Sequence, residues 1–151
     1  MRALLRNRPA ALQQPQRLQL TSRRSRGSRA EEAGVAFLEK RGYRLLQRNY
    51  LGRHGEIDVV AEKGGVLCFV EIRSRGGVGA GMFGGPAASV GNEKQRRIVR
   101  TAREWLIRNR AEGRACRFDV LGVHVPLVSA GEPQPEPLFE LFENAFEATD
   151  L

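Results

Sequence analysis

Four charged residues, Glu56, Asp58, Glu71 and Arg73, lie in two β-branched runs, EIDVVA and VLCFVEIR, on either side of Gly64 and Gly65. If the two glycines form a two-residue hairpin turn, Lys63 pairs with Val66, and the ladder sets Asp58 opposite Glu71 and Glu56 opposite Arg73. Side chains alternate between faces, so all four leave the hairpin on one side. Directly opposed Cβ atoms lie roughly 4.5 to 5.5 Å apart, a spacing at which two carboxylates share one cation. Without a cation, charges so close require a raised pKa on one group or exposure to water. The plain alternative is a surface ladder in which Glu56 pairs with Arg73 and the acids face solvent. Leu67 and Phe69 share the face of Glu71 and weigh against exposure, which favours a metal site for Mg2+ or Mn2+.

Several elements must hold that hairpin. Ser28 and Glu31 fit a capping box, after which Ala33, Ala36, Phe37 and Lys40 recur at helical spacing until Gly42. Tyr43 to Leu51 reads as a strand broken by residues 52 to 55, and VLCFVEIR, apolar on both faces as far as Glu71, reads as a central strand. Seven glycines between Ser74 and Asn92 predict a loop, without the Gly-Lys-Ser/Thr ending of a phosphate-cradling one. Asn92 is the expected cap of a second helix, in which Ile98, Val99, Ala102, Trp105 and Leu106 form the apolar stripe and Gly113 the stop. Trp105 on that stripe reads as core. Arg117 to Val125 is a further strand, and Leu138 to Phe146 packs back as a short strand and turn.

The net charge of +8 is unevenly distributed. Residues 1 to 30 hold eight Arg and no acid, whereas the remainder balances 17 bases against 17 acids. The first 29 residues, rich in Arg, Gln, Pro and Ser, read as a disordered basic extension outside a domain of residues 30–148. A transit peptide, a phosphate-binding arm and an overextended start have this same composition. Lys94 to Arg117 carries nine bases against Glu104 and Glu112, and Glu132 to Asp150 carries six acids and no base. The basic helix suits phosphates, and also suits a solvated face. Cys68 and Cys116 form neither a disulfide framework nor a CxxC metal pair, which predicts a reducing, cytoplasmic setting. No apolar run reaches the roughly 20 residues that cross a bilayer, so no membrane partner is expected.

The strings EEAGVAFLEKRGY, GEIDVVA, FVEIRSR, RFDV and ENAF, in that order between Glu31 and Phe146, resemble the YraN-like family of uncharacterised bacterial proteins. That family is similar to Holliday-junction resolvases and restriction endonucleases in its PD-(D/E)xK nuclease core. The resemblance implies a single-domain α/β fold of order αβββαβ(β), with a mixed central sheet flanked by helices. It makes Asp58 and Glu71 metal-binding and catalytic, the Ile72 carbonyl a third ligand, and Glu31 the helix carboxylate that completes such sites, in competition with its capping role. Glu56 falls beside the ligands in a supporting position. Arg73 stands where the nuclease pattern has lysine: it can stabilise charge on a phosphorane, but it stays protonated and cannot act as a base. Lys94, one of three lysines beside 22 arginines, matches a lysine of the family pattern and is either a substitute or a phosphate contact. With Arg97 and Arg100 it supplies the expected nucleic-acid contacts.

Together these features point to a metal-dependent nuclease acting on nucleic acid, DNA rather than RNA and structured DNA in particular, for which a homodimer is an admissible assembly. The alternatives are a noncatalytic nucleic-acid-binding module that keeps the fold, and a partner-binding protein using the acidic tail.

Overall fold

The computed structural model describes residues 29–75, 90–126 and 128–148. Ser28, most of the basic extension and most of the glycine-rich segment lie outside the described residues. Helix α1 covers residues 29–40. It closes with Tyr43 N–H donating to the Leu38 carbonyl (3.1 Å) and Gly42 N–H to that of Glu39 (3.0 Å), the paired bonds of a Schellman ending at the expected glycine.

Strands β1 (Arg44–Leu51), β2 (Glu56–Lys63) and β3 (Val66–Arg75) follow, then helix α2 (Asn92–Arg108) and strands β4 (Cys116–His124) and β5 (Leu138–Phe146). The order αβββαββ is the α/β arrangement expected. The strands form one sheet in sequence order, antiparallel throughout except for β3 with β4, which run parallel because α2 carries the chain across. The Gly64 and Gly65 φ values of +59° and +81° give the mirror-image turn whose twist suits a hairpin. Lys63 pairs with Val66, so the register is the one counted from the sequence.

Helices cover both faces. On one, Val60, Leu67, Phe69, Phe118 and Val120 pack beneath Ile98, Ala102, Trp105 and Leu106 of α2. On the other, Val59, Ala61, Cys68, Val70 and Leu121 meet Ala30, Val35 and Leu38 of α1. This is why β3 has no polar face before Glu71. Trp105 is core, edge-on to Phe69 at 5.8 Å, with its indole N–H donated to Gln47 Oε1 at 2.7 Å. Both cysteines are free. Among the described residues no helix is long and apolar enough to cross a membrane.

Three boundaries depart from the sequence reading. Gly91, in extended conformation, caps α2 without a side-chain bond, and Asn92 is already helical. Gln95 supplies the local closure instead, donating its amide to the Val90 carbonyl at 2.9 Å. At the far end α2 stops at Arg108, where Asn109 turns its amide back to the Trp105 carbonyl (2.8 Å), and Gly113 belongs to the next turn. Leu138–Phe146 is a full nine-residue strand rather than a short strand and turn. Its irregular register against β4 is held by Asp119, fully buried, which accepts from Asn144 N–H (2.8 Å), Tyr43 hydroxyl (2.8 Å) and Arg117 Nε (3.1 Å). Glu143 joins that cluster from the surface through Lys63 (3.0 Å) and Arg117 (3.1 Å), so part of the acidic tail is paired with bases of the domain.

Candidate active site

The β2–β3 ladder ends at Val59 opposite Val70, one step short of Asp58 and Glu71. There the strands part, and Asp58 Oδ2 accepts the Ile72 N–H at 2.7 Å, taking a place a strand carbonyl would otherwise fill. In an antiparallel strand the N–H and C=O of one residue leave the same edge, so the Ile72 carbonyl leaves β3 on the edge where Asp58 is bound. Glu56 pairs with Leu51 of β1 rather than opposing Arg73, because the ladder no longer reaches that far.

Glu71 is 7 % exposed, and the Lys94 ammonium, one turn into α2, forms an ion pair with its Oε1. The opening is a cleft of about 290 Å³ lined by Gly55, Glu56, Asp58, Glu71, Lys94 and Arg97, with Ile98 at its floor. Its walls are thus one hairpin end, one loop and the first turns of one helix.

Burial pushes the Asp58 carboxyl up to about 7, helped by the neighbouring Glu71 charge; the Ile72 hydrogen bond opposes this, and Glu31 adds a smaller repulsion. Of the three outcomes open to two facing acids, a shared cation, a raised pKa or exposure, the raised pKa falls at Asp58. Of the two carboxylates, Lys94 pairs with Glu71, and Arg97 adds a second positive charge to the cleft. Among the described residues no three His, Cys, Asp or Glu side chains converge as a metal-holding group, so Glu31 is near enough to repel Asp58 but does not complete a ligand set. The donors at hand, two carboxylates and a backbone carbonyl, are all hard oxygens. They fit Mg2+, which takes one or two carboxylates and completes its octahedron with water and substrate phosphate, better than an ion needing an all-protein cage.

The remaining expected residues separate by position. Arg97 lines the cleft, whereas Arg100 lies along a second groove on the other flank of α2. Arg73 is half-buried on β3 and forms no ion pair among the described residues. Of the chain's three lysines, the one beside Glu71 is therefore Lys94. Sequence reasoning passed over Glu104, whose Oε2 accepts the Arg53 N–H at 2.8 Å. A Cβ at Gly52 would meet Glu104 Oε2 at 2.8 Å and Thr101 Cγ2 at 3.0 Å, so the two side chains of α2 close over the loop that leads into Glu56 and Asp58. The signal was available: Lys94, Arg97, Thr101 and Glu104 follow one another at helical spacings of three and four.

A sequence model of the Uncharacterised protein family UPF0102 matches residues 30–123. The chain belongs to this family. Similar UPF0102 proteins include one from Anaeromyxobacter sp. (strain Fw109-5), 45% identical over 101 residues, covering 67% of this chain and 74% of the relative. One from Myxococcus xanthus is 46% identical over 101 residues, with 67% and 78% covered, and one from Symbiobacterium thermophilum 41% over 124 residues, with 81% and 96% covered. The YraN-like resemblance is borne out. The UPF0102 match contains every residue of the cleft and stops short of β5, while residues 1–29 fall outside it.

Proposed function

We propose that this UPF0102 protein is a metal-dependent nuclease whose centre is Asp58, Glu71 and Lys94. The observation that carries this reading is the cleft itself, where two carboxylates meet at the parted end of a hairpin beneath a lysine from α2. Burial and the neighbouring Glu71 charge raise the Asp58 carboxyl, a repulsion that a cation in the cleft relieves.

Asp58, Glu71 and the Ile72 carbonyl are the groups that hold Mg2+ or Mn2+. The chemistry such an ion supplies when bound is polarisation of a phosphate oxygen and acidification of a water. Lys94, paired with Glu71, brings an ammonium to the cleft where charge accumulates on a phosphodiester under attack, a role for which a preorganised cation suffices. Arg97, at the rim, orients the phosphate. Glu104 and Thr101 hold the loop on which Gly55 and Glu56 sit. Arg73 adds positive charge from the same strand face as Glu71, which leaves Lys94 as the lysine of the site.

Calorimetric titration of Mg2+ or Mn2+ in the presence of a nicked DNA duplex tests the assignment. Heat of binding in wild type that disappears in Asp58→Asn supports it; a wild type with no divalent-ion binding removes the mechanism. A noncatalytic DNA-binding module is the second reading, favoured by arginine at position 73 and by the lack, among the described residues, of a third converging carboxylate.

A further inference from the structure

We infer that α2 lies in the major groove of duplex DNA, with one strand in the cleft beside Lys94 and the opposite strand in the groove lined by Arg96, Arg100 and Arg103. This rests on the nuclease reading for which strand is cut, but not for binding itself.

Three observations lead there. Arg96, Arg97, Arg100 and Arg103 form the outward face of α2, all exposed, and none of them makes an ion pair among the described residues. Elsewhere Arg44, Arg48, Arg114 and Arg117 are each held by a carboxylate. Along this face the four arginines stand three or four residues from one another, like charges that repel, and although Glu93 and Glu104 lie at the same spacings, neither pairs with any of the four; Glu104 is held by Arg108 instead. The face therefore calls for an anion from outside.

The second observation is that openings flank the helix on both sides. On one side is the cleft with Asp58, Glu71, Lys94 and Arg97. On the other is a groove of about 630 Å³ walled by Asn92, Gln95 and the three arginines Arg96, Arg100 and Arg103, against the one acid Glu147. The third is dimension. A helix with its side chains is about 10–12 Å across, and the B-DNA major groove is about 12 Å wide, bounded by a phosphate backbone on each side. A helix seated there puts basic groups against both strands at once, and its Lys94 flank against only one. A-form RNA has a deep, narrow major groove that excludes a helix, so the same face discriminates against duplex RNA. A single strand has one backbone and engages one flank.

The test compares the full chain with R96A/R100A/R103A, an exposed triple substitution that spares Lys94, Arg97 and both carboxylates. Binding to a duplex DNA, the duplex RNA of the same sequence and one DNA strand is followed by fluorescence anisotropy across a salt series. The basic extension is common to both proteins and cancels in the comparison. Each phosphate contact contributes about 0.9 to the slope of log K against log salt on duplex DNA. The expected result is tighter wild-type binding to duplex DNA than to duplex RNA, a loss of about 2.7 in slope for the variant on duplex DNA, and little change on the single strand. An unchanged duplex slope, an equal loss on single strand and duplex, or equal affinity for duplex RNA overturns the proposal. Cleavage by Glu71→Gln, read on the same duplex, separates the two claims: slopes as expected with no cleavage by wild type sink the nuclease and leave the groove-seated helix standing.

Discussion

In the proposed nuclease the chemistry turns on Asp58 and Lys94, and a distinct prediction attaches to each. The Asp58 carboxyl is raised in the fold from 3.8 to about 7, so between those values the folded state binds more protons than the unfolded one. Stability of the metal-free protein therefore falls as pH rises from about 4 to about 7 and then levels off. In EDTA, Asp58→Asn should remove that decline, giving a higher Tm than wild type at pH 8 and no advantage at pH 4. Equal pH profiles for the two proteins would show that the pair is already neutralised. Lys94→Ala should reduce cleavage by about 10²-fold or more, the typical cost of losing a preorganised charge. Arg73→Lys should keep activity, because it retains the positive charge that Arg73 contributes. A single-turnover assay that finds Lys94→Ala active and Arg73→Ala dead would move the lysine's role to position 73.

The hairpin was legible at the level of elements because two adjacent glycines and strict alternation leave one register, and that register delivered Asp58 to Glu71. Its limit was equally physical: alternation cannot say where the ladder stops, and a side chain that captures a strand N–H, as Asp58 does with Ile72, ends the pairing that would have set Glu56 against Arg73. The α2 boundaries were misjudged because Asn is a strong capping residue by type, while the chain caps with extended Gly91 and closes with Gln95. Lys94 was picked out by a family pattern, and its partnership with Glu71 needed the crossover geometry that no local spacing encodes. Asp119 shows how much the far end of the sheet relies on one buried acid. Asp119→Ala strands the Asn144 N–H and takes the buried acceptor from Tyr43 and Arg117, which keep only Glu143, and should cost about 3 kcal/mol in urea unfolding; a loss within about 0.5 kcal/mol would mean that β5 is held by packing alone.

For the molecule as a whole, charge is divided between a neutral fold and a basic extension of eight arginines. Deleting residues 1 to 28 should leave the unfolding transition in place while flattening the salt dependence of nonspecific DNA binding. A truncated chain that fails to fold, or an unaltered slope, would assign the extension to the domain. The central claim is that the Asp58–Glu71–Lys94 cleft breaks phosphodiester bonds, and the most direct measurement is cleavage of single-stranded, duplex, flap and four-way DNA with Mg2+ or Mn2+ by wild type and Glu71→Gln. Wild type should cut at least one of these, and Glu71→Gln should bind it equally but cut it about 10²-fold more slowly or worse. Equal binding by both proteins with no cleavage of any substrate would contradict the claim.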